Sequence, residues 1–155
     1  MRVPALLLTA VILAGCGDHQ FEPPSREARV QEAAAAYSPA VYDTVAWPGD
    51  SAREFTGNVV YSSQCRDCHG TLGRGGTAYA RERGLEVASL VEPGWDADGD
   101  LEEVRRRIFV GHPDGMPTWG VAGITPREID AVAFYIVARL RPEVLEGESV
   151  GGTAP

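Results

Sequence analysis

No lysine occurs in this chain: all 14 of its basic residues are arginines, set against 22 acidic ones. Residues 16–52 carry six acids and two arginines, residues 53–141 thirteen acids and eleven arginines, and residues 142–155 three acids and no base. The acidity therefore lies mostly in the flanks, and no basic face is available for nucleic acid. Cysteine is scarce, at three. Two of these stand close together and the third is remote at Cys16, so no structural disulfide is expected. Long apolar runs are missing too. The stretch from Val3 to Ala14 is about 12 residues, short of the roughly 20 that span a bilayer. Methionine occurs twice, and one of the two is Met1.

What is present centres on Cys65-Arg66-Asp67-Cys68-His69. Cys-x-x-Cys-His is the attachment pattern of a c-type haem. The two thiols add across the porphyrin vinyl groups as thioethers, and the next residue can then ligate the iron from one face. The other face needs a second ligand, and a methionine thioether is common there. Met1 belongs to a segment expected to be removed, which leaves Met116 in Gly115-Met116-Pro117. His112 is a rival for the same position. Two other readings of the cysteine pair stay open. A redox dithiol would sit near a strand–helix pattern, and none is apparent. A zinc site needs four ligands, and only His69 and His112 are at hand to complete one.

The N-terminus reads as an export signal over residues 1–15: Arg2, the apolar stretch, then Leu13-Ala14-Gly15-Cys16. The ending resembles the lipobox of bacterial lipoproteins and makes Cys16 the expected lipid anchor. Diacylation holds a protein to a membrane where one chain does so only marginally. Export also agrees with covalent haem, which is normally attached outside the bacterial cytoplasm. Residues 16–50, punctuated by Pro23-Pro24 and Pro48-Gly49, read as a flexible tether. Fully extended it would reach roughly 100 Å. Arg26 to Ala36 has the composition of a short helix, and Tyr42, Val45 and Trp47 could dock the segment.

Residues 51–141 read as the folded domain. Ser51 to Glu54 suggests a capping box, with Ala52, Phe55 and Val59 on one helical face. Glycines after His69 give an open loop, followed by a short helix from Ala78 to Arg83 stopped by Gly84. Leu90 and Trp95 are candidate haem-wall residues. A helix from Asp100 carries Leu101, Val104 and Ile108 inward and ends at Gly111. Pro117 and Trp119 extend the wall beyond Met116. Arg105 to Arg107 lie where a helix C-terminus favours cations, with a partner or a haem propionate as the alternative contact. The last helix opens on a second capping box, Thr125 to Glu128, and runs through Ile129, Val132, Ile136 and Leu140 until Pro142. Residues 142–155 read as a disordered acidic tail.

Together these residues resemble the class I cytochromes c. Gly57 and Tyr61 fall eight and four residues before the first haem cysteine, and Val132 and Tyr135 match the facing helix. The Gly-Met-Pro loop resembles the small cytochrome subunits and domains of bacterial haem–copper oxidases and related respiratory complexes. The resemblance implies an all-α fold of three to five helices around one covalent haem c, with the N- and C-terminal helices crossing. It also implies one-electron transfer between redox proteins at the membrane of the bacterial envelope, facing the periplasm or cell exterior, with no small-molecule substrate. A fixed subunit of a membrane oxidase or reductase is the alternative, and a haem enzyme or gas sensor with a displaceable Met116 a further one. Many relatives carry a proline soon after the haem histidine. Here the first is Pro93, so a carbonyl within Gly73 to Thr77 is the expected acceptor for the His69 ring.

Overall fold

Two long helical rods cross at a glycine, and the rest of the chain is arranged around that crossing. The computed structural model describes residues 22–151, so the leader over residues 1–15 and Cys16 lie outside the described residues. Eight α-helical segments occur in order: α1 Arg26–Ala36, α2 Asp50–Val60, α3 Arg66–His69, α4 Ala78–Glu82, α5 Leu101–Val110, α6 Trp119–Ala122, α7 Pro126–Tyr135 and α8 Arg141–Gly151. A π turn over Tyr61–Cys65 joins α2 to α3, and another over Ile136–Leu140 joins α7 to α8. No strand occurs among the described residues, only an isolated bridge between His112 and Met116. The all-α fold with crossing terminal helices is as expected. Five rods make the haem-domain part, and α1 is a sixth.

The crossing of α2 with α7 depends on Gly57. A Cβ there would run into the Ala131 carbonyl and lie 2.6 Å from Tyr135 Cβ. Only a residue without a side chain lets the backbones approach this closely. The buried face of α2 is therefore Gly57 and Val60, continued by Tyr61 in the π turn. This corrects the expected face: Phe55 is 71% and Val59 52% exposed. A count of apolar side chains misplaces a face whose centre has none.

The first capping box also fails. Gly49 precedes α2 without a side-chain cap, and Glu54 is drawn instead to Arg139, 3.2 Å away. The second box forms: Thr125 Oγ1 accepts from the Glu128 N–H at 3.2 Å and the Glu128 carboxylate accepts from the Thr125 N–H at 2.7 Å.

Two flanks are more structured than expected. Residues 22–50 do not lie free as a tether. Ala33 of α1 is buried, Tyr37 packs edge-on against Phe109 of α5 at 5.3 Å and hydrogen-bonds Glu102, and Tyr42 is buried in a 3-10 turn at Pro39–Tyr42. Trp47 Nε1 then donates to Asp130 Oδ2 at 2.7 Å. The same buried carboxylate accepts from Arg53 Nε at 2.8 Å, from Arg53 Nη2 at 2.6 Å and from Arg105. One aspartate of α7 thus ties the N-terminal segment, α2 and α5 together. At the other end the helix does not stop at Pro142, and residues 142–151 are not a disordered tail. The Arg141 N–H reaches the Ile136 carbonyl, five residues back. A proline, having no N–H, costs least next to such a widened turn and at the start of the next segment. Val144 of α8 is buried with the core.

Candidate functional site

The π turn at Tyr61–Cys65 delivers the Cys-x-x-Cys-His motif to the domain interior. Cys65 is buried, and burial pushes its thiol up to about 12. Cys68 is half-buried and shifts the same way for the same reason. His69 closes α3, and burial holds its pKa below the ordinary histidine value, against an opposing pull from the Ala88 backbone. Burial therefore favours the neutral ring, the form that ligates a metal.

The loop after His69 is fixed by hydrogen bonds to backbone carbonyls. Tyr61 Oη donates to the Gly70 carbonyl at 2.7 Å, the Gly75 N–H to the His69 carbonyl at 2.8 Å, and Thr77 Oγ1 to the Asp67 carbonyl at 2.6 Å. The Leu90 N–H donates to the Gly73 carbonyl at 2.7 Å. Gly75, at φ 69°, abuts the Val87 carbonyl so closely that a Cβ would collide with it. These contacts hold Val87–Leu90 against the histidine side. The acceptor expected for the His69 ring within Gly73–Thr77 is not in place, and the backbone whose influence the ring feels is that of Ala88. Nδ1 is buried and makes no hydrogen bond of ordinary geometry.

Met116 arrives from the other direction. Gly111 ends α5 at φ 73°, and a Cβ there would sit 2.5 Å from the Pro117 carbonyl oxygen. A tight turn comes next, with the His112 N–H donating to the Met116 carbonyl at 3.1 Å and the Gly115 N–H to the His112 carbonyl at 3.1 Å. His112 itself is mostly exposed, its Nδ1 3.1 Å from the Asp114 carboxylate.

Cys65, Cys68, His69 and Met116 all line one cavity of about 660 Å³. Leu90, Trp95, Pro117 and Trp119, the expected wall, line it as well. Leu85, Val104, Ile108 and Ile136 complete an apolar surround. Leu85 belongs to the apolar segment that reads as haem wall in the sequence, whereas Val104, Ile108 and Ile136 were legible only as core positions of their helices. Arg107 also reaches the cavity. His112 lies on its rim but is engaged with Asp114 in solvent. Among the described residues no group of three or more His, Cys, Asp or Glu is placed to hold a metal ion, so the zinc reading has no donor set there.

A largely apolar chamber between helices, with paired thiols, an imidazole and a thioether on its wall, suits a flat macrocycle carrying a metal. The class this defines is the small c-type cytochrome domain, an electron-transfer unit with covalently bound haem c. The chain belongs to the family described as cytochrome c oxidase, cbb3-type, subunit III, which matches residues 52–136. It is 30% identical over 89 residues to the cbb3-type cytochrome c oxidase subunit FixP of Azorhizobium caulinodans, covering 57% of this chain and 28% of that one. It is 30% identical over 95 residues to the cbb3-type cytochrome c oxidase subunit CcoP of Rhodobacter capsulatus, covering 57% of this chain and 30% of that one. The match thus spans less than a third of each relative. No solved structure matches the chain. No helix among the described residues is long and apolar enough to cross a membrane.

Proposed function

We propose that this chain is a membrane-tethered one-electron carrier of a bacterial respiratory chain, and not itself an enzyme. Cys65 and Cys68 would hold the haem as thioethers, and His69 and Met116 would ligate its iron. The observation that carries this reading is the convergence of those four side chains on one apolar cavity, from elements 47 residues apart in sequence (116 − 69). Bound there, the haem supplies a one-electron Fe(III)/Fe(II) couple, and Met/His ligation with shielding from water raises its potential. The protein's part is to keep the imidazole neutral and fixed, present the thioether, and exclude water with Leu90, Trp95, Pro117 and Trp119.

Lipid on Cys16 would hold the chain on the outer face of the membrane it serves, toward the periplasm or cell exterior. Because α1 packs on the domain, only the ten residue steps from Cys16 to Arg26 separate the anchor from it, at most roughly 35 Å. The carrier therefore works close to its bilayer and meets donor and acceptor proteins there.

A second reading, a fixed subunit of a membrane oxidase, is favoured by the two relatives, both named as oxidase subunits. Detergent extraction separates the two: a fixed subunit co-purifies with oxidase subunits, a carrier comes away alone. The main test is potentiometric titration of the full-length protein, with Cys16→Ser as the anchor variant. The expected result is one reversible one-electron step, with membrane association lost in the variant. A protein without covalent haem, or a variant still bound to membranes, contradicts the corresponding part.

A further inference from the structure

The Met116 turn borders a second cavity besides the one already described. This one measures about 370 Å³ and is bounded on its far side by Arg26, Arg29 and Val30 of α1. Gly115, Met116 and Pro117 line both cavities and form the wall between them. The three α1 residues precede the family match at residues 52–136, so this cavity is an addition of the present chain to the shared domain.

One stripe of α1 explains how it forms. Arg26, Arg29, Val30, Ala33 and Tyr37 recur at i, i+3, i+4, i+7 and i+11. Ala33 is buried and Tyr37 packs on Phe109, so the stripe lies against the domain. At its outer end the apolar residues give way to two guanidiniums. Arg26 Nη1 lies 3.7 Å from where a Cβ on Gly115 would stand, over the Met116 turn. Arg26 has no hydrogen bond or ion pair among the described residues, and Arg29 only donates to the Pro24 carbonyl at 3.0 Å. Glu27 lies off the stripe and answers first to its own backbone N–H and to Ser25, ahead of either arginine. His112 lines the cavity too, but Asp114 holds it at 3.1 Å. Two cations without a carboxylate partner therefore share one pocket, in a chain of net charge −8. They are also the only two bases in residues 16–52. Like charges one helical turn apart repel, and an anion between them reverses the sign.

The place of the pocket selects the anion. Arg26 stands ten residues after Cys16 (26 − 16), at most roughly 35 Å along the chain. A bilayer within that distance is the densest source of phosphate at hand, and a guanidinium meets phosphate oxygens with two N–H groups at once. We propose that this second cavity docks the phosphate of an anionic phospholipid headgroup between Arg26 and Arg29, turning the Met116 wall toward the membrane. The nearness of the bilayer rests on the tethered-carrier reading; the cavity and its charge do not.

The test is co-sedimentation of the full-length haem-loaded chain with vesicles, as Cys16→Ser so that no anchor contributes. Vesicles of phosphatidylcholine alone are compared with mixed phosphatidylcholine–phosphatidylglycerol vesicles. The chain should prefer the mixed vesicles, and salt should weaken the preference. Arg26→Gln should reduce binding to them about fivefold, and Arg26→Gln with Arg29→Gln about thirtyfold, as for cations at an anionic leaflet. Arg81→Gln with Arg83→Gln removes the same charge from exposed positions that line neither cavity, and should change little. Because Arg26 bonds nothing among the described residues, its single variant keeps the fold even if loss of the Arg29 contact frays the helix start. Equal losses in the two double variants would reduce the effect to overall charge and overturn the proposal. Vesicles left unbound while inorganic phosphate binds by calorimetry would make the cavity an ion pocket and overturn it too. So would vesicle binding indifferent to Arg26 and Arg29 while their loss slows electron exchange with an acidic redox protein. A wild type with no lipid on Cys16 but an intact headgroup preference would overturn the anchor and uphold the docking site.

Discussion

The two sides of the cavity are built differently. The His69 side is stitched through backbone carbonyls: Gly70 accepts from the Tyr61 hydroxyl, His69 from the Gly75 N–H and Gly73 from the Leu90 N–H, with Gly75 abutting the Val87 carbonyl. The Met116 side is a short turn held by two backbone hydrogen bonds, with Leu85 near Gly115. Behind it, Arg26, Arg29 and Val30 of α1 face the turn across a second cavity of about 370 Å³. Hydrogen bonds to a rigid loop fix a ligand, whereas a turn backed by a docked helix holds one only while the helix stays. On the proposed ligation the imidazole would be the permanent ligand and the thioether the exchangeable one, with α1 facing it across that cavity.

The largest expected effect is one that loosens both sides at once. Asp130→Asn leaves Arg53 and Arg105 without their buried partner and should cost about 3–5 kcal/mol in denaturant unfolding. Burial raises the Asp130 pKa, but the hydrogen bonds from Arg53, Trp47 and Arg105 outweigh it, and the net shift is downward. A depressed carboxylate contributes stability above its unfolded pKa, about 3.9, and loses it as pH falls through the folded value. The gap between wild type and variant should therefore close in acid.

Next is Gly57→Val, which forces α2 and α7 apart and should cost about 3 kcal/mol by thermal or chemical unfolding, again without favouring either side. Two smaller changes sharpen the contrast. Ala33→Glu places a charge at the buried contact of α1. It should let exogenous imidazole compete for the Met116 position about tenfold better, or about 1.4 kcal/mol, as read by titrating the ferric protein. Tyr61→Phe removes the hydrogen bond to Gly70 and should cost about 1 kcal/mol while leaving imidazole affinity unchanged. If it loosened Met116 as much as Ala33→Glu does, the two sides would not be independent.

The motif residues were readable because their chemistry is local. Thioether attachment dictates the spacing of Cys65, Cys68 and His69, and scarcity singled out Met116. Thr125 and Glu128 were readable for the same reason, since a capping box closes on itself. The unreadable features depend on distant partners. Ser51 and Glu54 spell the same box, but Arg139 takes the glutamate. Pro142 spells a stop, but a π turn five residues long absorbs it. The helix at Arg26–Ala36 was legible in its Ala- and Glu-rich composition, but its docking on the domain depends on Tyr37 against the distant Phe109. The burial of Arg141 carried no signal at all, because a charged residue before a proline reads as surface.

The central claim is that His69 and Met116 share one iron. Optical spectra of the purified ferric and ferrous protein, wild type and Met116→Ala, test it most directly. The wild type should be low-spin, with the weak long-wavelength band of a thioether-ligated ferric haem. The variant should keep its covalent haem and lose that band. A high-spin wild type, or one indistinguishable from the variant, would take Met116 off the iron and contradict the account.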